Sequence, residues 1–507
     1  MKSPVSLHVV LFAAGAILFP RVVAGQPATP PPDPVPLVEV YGTLVPFLEY
    51  IHTTSATPIQ SPTAVANGAS QVAAAAYTGV NLPARFRMDP ATSNIGFRGG
   101  LELMPNLSAV WQIESAAPLD APAGANAWAS RNSQIGLTGS WGTLFYGYWD
   151  TPYAWITRST VNPIRSGNVT DYNAIINNPG FGVASVVGQF TRASTAMAQA
   201  TPDAAFERRQ GNAVQYWLPN ISGFTGRLAY SVNEGRSTAT ATLPSIQPIV
   251  FGAAAAFDFG TIKLRDAYEL HIDYFGMSQL GGSPAPTLTN RASNDWGNKV
   301  VVGYTSPVKG METRVVGILD YLSYKNKDTT PNANTAYTRA SLYGLVDQAF
   351  GPHHVWLGGG KAFEGSCEKN GMMPGTTATC TTAGLSATDI VLGYIYRVNK
   401  SFDIYAAYYR VSNDFAANYT GSPPVGPIAP GVMIESFGLG MLYTFSAKIV
   451  GPPTKAAAAP PPPPPPVPTP APTTEPGPVP PPTTPEPPPN PGTPPQPTPP
   501  PEPTPHA

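Results

Sequence analysis

Cys367 and Cys380 are the only two thiols in the chain. They flank a loop-like stretch, EKNGMMPGTTAT. Two cysteines this close, in a chain that opens with an export leader, read as one disulfide. A zinc site would need further ligands, and none of the six histidines falls inside that stretch. The histidines are scattered, with His353 and His354 placed at a turn. Asp320 and Asp347 have no Ser/His or Cys/His arrangement to complete them. No catalytic constellation stands out, and no cofactor is implied. Charge is the chemistry that does stand out. In and around the segment from about Asp150 to Glu207, arginines outnumber carboxylates: Arg131, Arg158, Arg165, Arg192 and Arg209 against Asp150, Asp171 and Asp203. Fixed charges of this kind steer and sort ions without making or breaking bonds.

The elements that hold such charges follow from composition and period. The 507 residues include 63 Pro and 48 Gly, and only 12% are charged. A net charge of −1 gives no overall field to attract nucleic acid. The first 25 residues read as a secretory signal: Lys2, the apolar run Val9 to Phe19, then Val22, Val23, Ala24 and Gly25, with cleavage after Ala24 or Gly25. The apolar run falls short of the roughly 20 residues that a membrane anchor needs. No later segment is apolar enough for a transmembrane helix, so entry into a membrane after export requires a closed barrel.

Between residues 38 and 446 the chain alternates with period two. VEVYGTLVPFLEYI comes first, from Val38 to Ile51, and FGLGMLYTF comes last, from Phe437 to Phe445. In the last run the odd positions are large and expected to meet lipid. Connections of two kinds take turns. Short ones include MPN before Leu107, Ser140 to Gly142, PNISGF, TSPVKG and NKS. Long ones include Thr53 to Pro83, Ala116 to Ser130, Lys325 to Thr335 and Asn413 to Gly431. Short turns at one rim and long loops at the other give an outer-membrane barrel. The count is about sixteen strands of roughly 9–11 residues, long enough to cross when tilted.

These runs resemble the trimeric Gram-negative general porins. VEVYGTLVPFLEY is similar to that family's first strand, SNIGFRGGLELMPNLSAVWQIES to its second and third, and RNSQIGLTGSWGTLFYGYWDTPY to its fourth and fifth. GNAVQYWLPNISGFTGRLAYSV, LGYIYRVNKSFDIYAAYYRVSN and ESFGLGMLYTF continue the match in order. The chain departs from the family at Asn94, where an arginine is usual, and in running on past Phe445.

The resemblance implies an all-β transmembrane antiparallel barrel of about 16 strands, with a third loop, here about Asp150 to Glu207, folded inward to narrow the pore. Basic wall residues would oppose acidic loop residues there. Arg131 matches the wall arginine at the start of the fourth strand, and Arg209 the one that opens the sixth. By alternation Arg98, Gln112 and Glu114 face inward. Arg98, Arg131, Arg209 and Glu114, together with Asn94, Asp150, Arg158, Arg165 and Asp171, make up the expected constriction. The expected function is an outer-membrane porin passing ions and small hydrophilic solutes, weakly selective and leaning towards anions, embedded in outer-membrane lipid as a homotrimer. The alternative is a barrel that mainly anchors its tail.

Four regions result: signal peptide 1–25, Pro-rich segment 26–37, barrel 38–446 and Pro-rich tail 447–507. The tail cannot bury a core and favours polyproline II. A periplasmic tail could tether peptidoglycan or an envelope protein.

Overall fold

The alternating runs pair into a single antiparallel sheet that closes on itself. The computed structural model describes residues 38–59, 78–89, 92–119, 128–158, 163–164, 174–180, 206–232, 247–274, 293–325, 334–369, 381–420 and 428–450. The strands are β1 (Val38–Leu44), β2 (Phe47–Thr54), β3 (Arg85–Asp89), β4 (Asn94–Met104), β5 (Leu107–Ala116), β6 (Ser133–Gly139), β7 (Gly142–Asp150), β8 (Arg209–Trp217), β9 (Phe224–Val232) and β10 (Ile249–Phe259). They continue as β11 (Ile262–Tyr274), β12 (Ser293–Thr305), β13 (Thr313–Lys325), β14 (Asn334–Phe350), β15 (His353–Ala362), β16 (Ser366–Lys369), β17 (Ala387–Arg397), β18 (Phe402–Asn413) and β19 (Met433–Val450). One short helix, α1 (Pro152–Arg158), follows β7.

Three of these strands are continuations. β2 resumes β1 after Val45–Pro46, β4 resumes β3, and β16 resumes β15 beyond Gly365, whose φ is +77°. β1 and β2 both lie along β19, and β15 and β16 both lie along β14. Joined in this way, the nineteen segments make a closed barrel of sixteen staves. The expected first run, Val38 to Ile51, is therefore split. Pro46 has no N–H to give to a ladder, so the break falls there. The closing strand is longer than expected. β19 continues past residue 446 to Val450 and pairs Val450 with Val38. Closure leaves no open edge, which the hydrocarbon region of a membrane demands.

The two rims differ as the loop lengths indicate. β4 and β5 are joined through Pro105–Asn106, with Asn106 at φ 66°, and β10 and β11 through Gly260–Thr261, with Gly260 at φ +63°. Two-residue connections of this kind need positive φ, which Asn and Gly supply most easily. The first and last staves begin and end at this same rim.

Outward side chains are apolar. On β19 Phe437, Leu439, Met441 and Tyr443 are all exposed, while Gly438 and Gly440 between them are buried. β13 exposes Val315, Leu319 and Tyr321 and turns Val316, Ile318, Asp320 and Leu322 inward. Water would not tolerate a continuous belt like this, and lipid does.

The abundance of glycine beside aromatics has a packing reason. Directly across the ladder, Tyr41 faces Gly96, Trp356 faces Gly393 and Tyr405 faces Gly440. At each glycine an added Cβ would collide with the partner ring, at 2.5, 2.0 and 2.3 Å. Each ring lies flat along the inner wall because its neighbour has no side chain.

Candidate functional site

Charged side chains in the middle of a lipid-facing strand must turn inward. On the described inner wall they meet as a continuous ladder. It begins on β1, where Glu39 takes a two-pronged pair from Arg98 of β4, at 3.0 Å from Nε and 2.9 Å from Nη2. The Arg98 guanidinium also lies 4.7 Å from the centre of the Tyr41 ring. Tyr41 donates its hydroxyl to Glu114 of β5 at 3.0 Å, and Arg131 donates Nε to the other oxygen of Glu114 at 2.7 Å.

The next rung is built around Asp150. Asn132 donates to it at 2.9 Å, Arg209 pairs with it at 3.2 Å, and Arg158 of α1 pairs with it as well. Arg158 reaches on to Glu207 at 3.4 Å. Lys299 of β12 then takes Glu207 at 2.7 Å and donates to Thr157 and Asn177 at 2.9 and 3.1 Å. The last rung is Asp320 of β13. It accepts the Tyr153 hydroxyl, the Asn177 backbone N–H at 3.2 Å and the Ser341 hydroxyl at 3.2 Å, with Arg339 of β14 at 3.6 Å.

The described parts of the segment after β7 therefore pack on the inner wall. Arg339 donates to the Ile175 carbonyl at 2.9 Å, and Asn418 donates its N–H to the Gly180 carbonyl at 2.9 Å. Tyr153, Ile156, Ile164, Ile175, Ile176 and Phe206 share one apolar cluster with Val301, Val316, Ile318, Leu322 and Tyr324 of β12 and β13. A barrel's inner face is polar where water reaches it. Here the segment covers the wall, water is excluded, and apolar inward residues are the stable choice. The Tyr153 phenol, held in this cover beside the Asp320 carboxylate, is pushed well above its ordinary range by burial and then by that charge. It stays a neutral donor.

Arg98, Glu114, Arg131, Asp150, Arg158 and Arg209 come together in the ladder. Their setting differs from a row of free arginines on the wall facing acids on the loop. Asp150 belongs to the wall, at the end of β7, and is not a loop acid. Arg131 precedes β6, anchored by its own N–H to the Glu114 carbonyl at 2.9 Å. Every one of these arginines has a carboxylate partner. Arg98 is the most open to the lumen, with 49% of its side chain exposed against 15% for Arg131 and 10% for Arg209. Asn94 is buried and bonds the Thr92 carbonyl at 3.0 Å, away from the ladder. Asp171 and Arg165 lie outside the described residues, as do Arg192 and Asp203. Cys367, in β16, is disulfide-bonded, and Cys380 lies outside the described residues.

Glu39, Glu207, Lys299, Asp320 and Arg339 are ladder members beyond the residues expected from the sequence for the pore. Alternation could have found three of them. The signal is cleanest at Asp320, flanked by the exposed Leu319 and Tyr321, and weaker at Lys299 and Arg339, each of which has one polar neighbour, Asn298 and Thr338.

Comparison with known proteins gives a consistent result. A family model described as Gram-negative porin matches residues 13–416. The major outer membrane protein P.IA of Neisseria meningitidis serogroup A is 26% identical over 313 residues, covering 55% of this chain and 69% of that protein. The major outer membrane protein P.IB of Neisseria lactamica is 29% identical over 140 residues, covering 27% of this chain and 33% of that one. The solved structure of the anion-selective porin from Comamonas acidovorans aligns with a TM-score of 0.55 at 16% identity, covering 80% of this chain and 99% of that one. That last likeness is one of fold.

Proposed function

The chain belongs to the Gram-negative porins, which form channels in the outer membrane, and we propose that this one is a weakly selective diffusion pore leaning slightly towards anions. It is a channel protein and not an enzyme. The observation that carries the selectivity is the charge balance of the ladder. Arg98, Arg131, Arg158, Arg209, Lys299 and Arg339 stand against Glu39, Glu114, Asp150, Glu207 and Asp320, six cations to five carboxylates. Charges that neutralise each other at contact leave a small residual field, so discrimination between ions is weak. The segment from Asp150 to Glu207 acts as the narrowing element, held by Asp320, Arg339 and Lys299 against one side of the wall. Reversal potentials across a planar bilayer in a KCl gradient test the reading. A small anion preference is expected, and a clear cation preference would overturn it.

The finer partners follow from the same reading. The pore assembles as a homotrimer, which cross-linking and native mass measurement would reveal as a threefold mass. The Pro-rich tail that follows Val450 is read as entering the periplasm. Extended at about 3.1 Å per residue it reaches on the order of 170 Å, far enough to meet the cell wall. Loss of peptidoglycan association after truncation behind Val450 would support a tether, and unchanged association would remove it.

A further inference from the structure

Arg227 of β9 is set apart from the other cations of the wall. Its guanidinium lies over two indoles at once, 4.1 Å from the centre of the Trp155 ring and 3.8 Å from that of Trp217. Trp155 belongs to α1 and Trp217 to the end of β8, so the arginine bridges the covering segment and the wall. No hydrogen bond or ion pair joins the Arg227 guanidinium to any described residue, and the side chain is only part-buried. Arginine in the ladder is otherwise satisfied by carboxylates. Here the ring contacts occupy the faces of the guanidinium, and its N–H donors, which lie in the plane, keep their capacity.

The surroundings narrow what could use those donors. Trp217 stacks edge-on with Phe145 at 4.9 Å and with Trp149 at 5.4 Å. Trp149, Trp155 and Trp217 are each part-buried, so apolar ring surface remains open to the passage. A second cation, Arg265, lies 5.8 Å from the centre of the Trp155 ring, with Asp258 at 3.5 Å from it. Exposed indole beside an in-plane array of donors suits a solute with an oxyanion at one end and a flat apolar body behind it.

We propose that Arg227, Trp155 and Trp217 form a binding subsite in the channel for aromatic carboxylates. The carboxylate accepts two parallel N–H bonds from the edge of Arg227, and the ring of the solute lies against the neighbouring indoles. Because the site is on the wall of the passage, a solute would dwell there on its way through. The proposal rests on the reading of the barrel as an open channel.

Benzoate is the probe, and the full-length protein in planar bilayers is the sample. Acetate carries the same charge without the ring, and benzamide the same ring without the charge. Open-channel conductance in KCl is recorded first, and its absence would sink the channel reading itself. Given a conducting channel, benzoate should reduce the single-channel current in a saturable way, at concentrations at least 10-fold below those at which acetate or benzamide acts. Arg227→Gln should raise the required benzoate concentration at least 10-fold, and Trp155→Ala should raise it less. Equal action of benzoate and acetate, or an unchanged benzoate effect in Arg227→Gln, would overturn the subsite while leaving the channel intact. Should either variant fail to assemble, tryptophan fluorescence of the unaltered protein decides. Saturable quenching by benzoate and not by benzamide supports the site, and identical responses to both refute it.

Discussion

Lys299 Nζ lies 2.7 Å from Glu207 Oε2, and neither side chain reaches water. Glu207 stands just before the stave that opens with Arg209, and Lys299 stands in the middle of β12. The pair therefore ties the end of the covering segment to the far wall. Thr157 and Asn177 complete the ammonium's donors, so the charge is buried with its partners satisfied.

Breaking this tie should loosen the segment. Lys299→Met leaves Glu207 buried without its ammonium, with Arg158 3.4 Å away. Removing one member of a buried pair costs about 3–5 kcal/mol, and the remaining arginine should hold the loss near the lower end. Single-channel recordings should show added open-state noise, and limited proteolysis should cut the segment faster. The double variant Lys299→Met/Glu207→Gln should recover part of the loss, because no unpaired buried charge remains. A quiet, protease-resistant Lys299→Met channel would show that the tie contributes little.

The Tyr153 hydroxyl offers a pH test of the same attachment. Tyr153→Phe removes one donor from a carboxylate that keeps Asn177, Ser341 and Arg339. A hydrogen bond to a charged group contributes about 1.5–3 kcal/mol. The sign with pH follows from the raised phenol. Below pH about 10 the group is neutral in both the folded and unfolded chain, and its contribution is complete. Above that, unfolded tyrosine ionises while the folded one keeps its proton, so stability falls as pH rises. Channel noise should stay flat from pH 6 to about 9.5 and should not rise until the medium is more alkaline.

Most of the barrel could be read from the sequence because its rules are local. Alternation set the outward face of β19, and Asn106 and Gly260 marked tight turns. The ion partners were harder to read. Nothing near Arg131 announces Glu114, and nothing near Arg158 announces Glu207. Each pair is made across the ladder or through the folded-in segment, so counting arginines against nearby acids left out Glu39 and Glu207 and did not pair Glu114 with Arg131. Chain continuity misled in a different way. Val38 to Ile51 alternates without interruption, and the break at Pro46 comes from a missing N–H, which period alone does not register.

Arg98 should govern selectivity at little cost in stability. The arginine's side of its pair with Glu39 is half open to water, against 11% exposure for the carboxylate, and an ion pair open on one side in this way is worth about 1 kcal/mol. Arg98→Gln leaves the Glu39 charge facing the lumen and brings the ladder to balance. The reversal potential should move towards cations, with the thermal unfolding midpoint nearly unchanged. Arg131→Gln should move selectivity in the same direction, with a larger loss of stability because its side chain is less exposed. A reversal potential that does not move in either variant would place the selectivity elsewhere.

The flat ring over a glycine can be tested at Trp356. A Cβ at Gly393 would fall 2.0 Å from the Trp356 ring, which is 1% exposed. Gly393→Ala should therefore force the indole off the wall, at a cost of about 1–3 kcal/mol for overpacking. The temperature at which the folded barrel converts to the slower or faster unfolded band on a denaturing gel should fall. Trp356→Leu in the Gly393→Ala background removes the colliding ring, and the two changes should destabilise by less than their sum, since they act on one contact. Strict additivity would mean that the ring and the glycine are not coupled, and that the glycine is required by something other than the space the indole occupies.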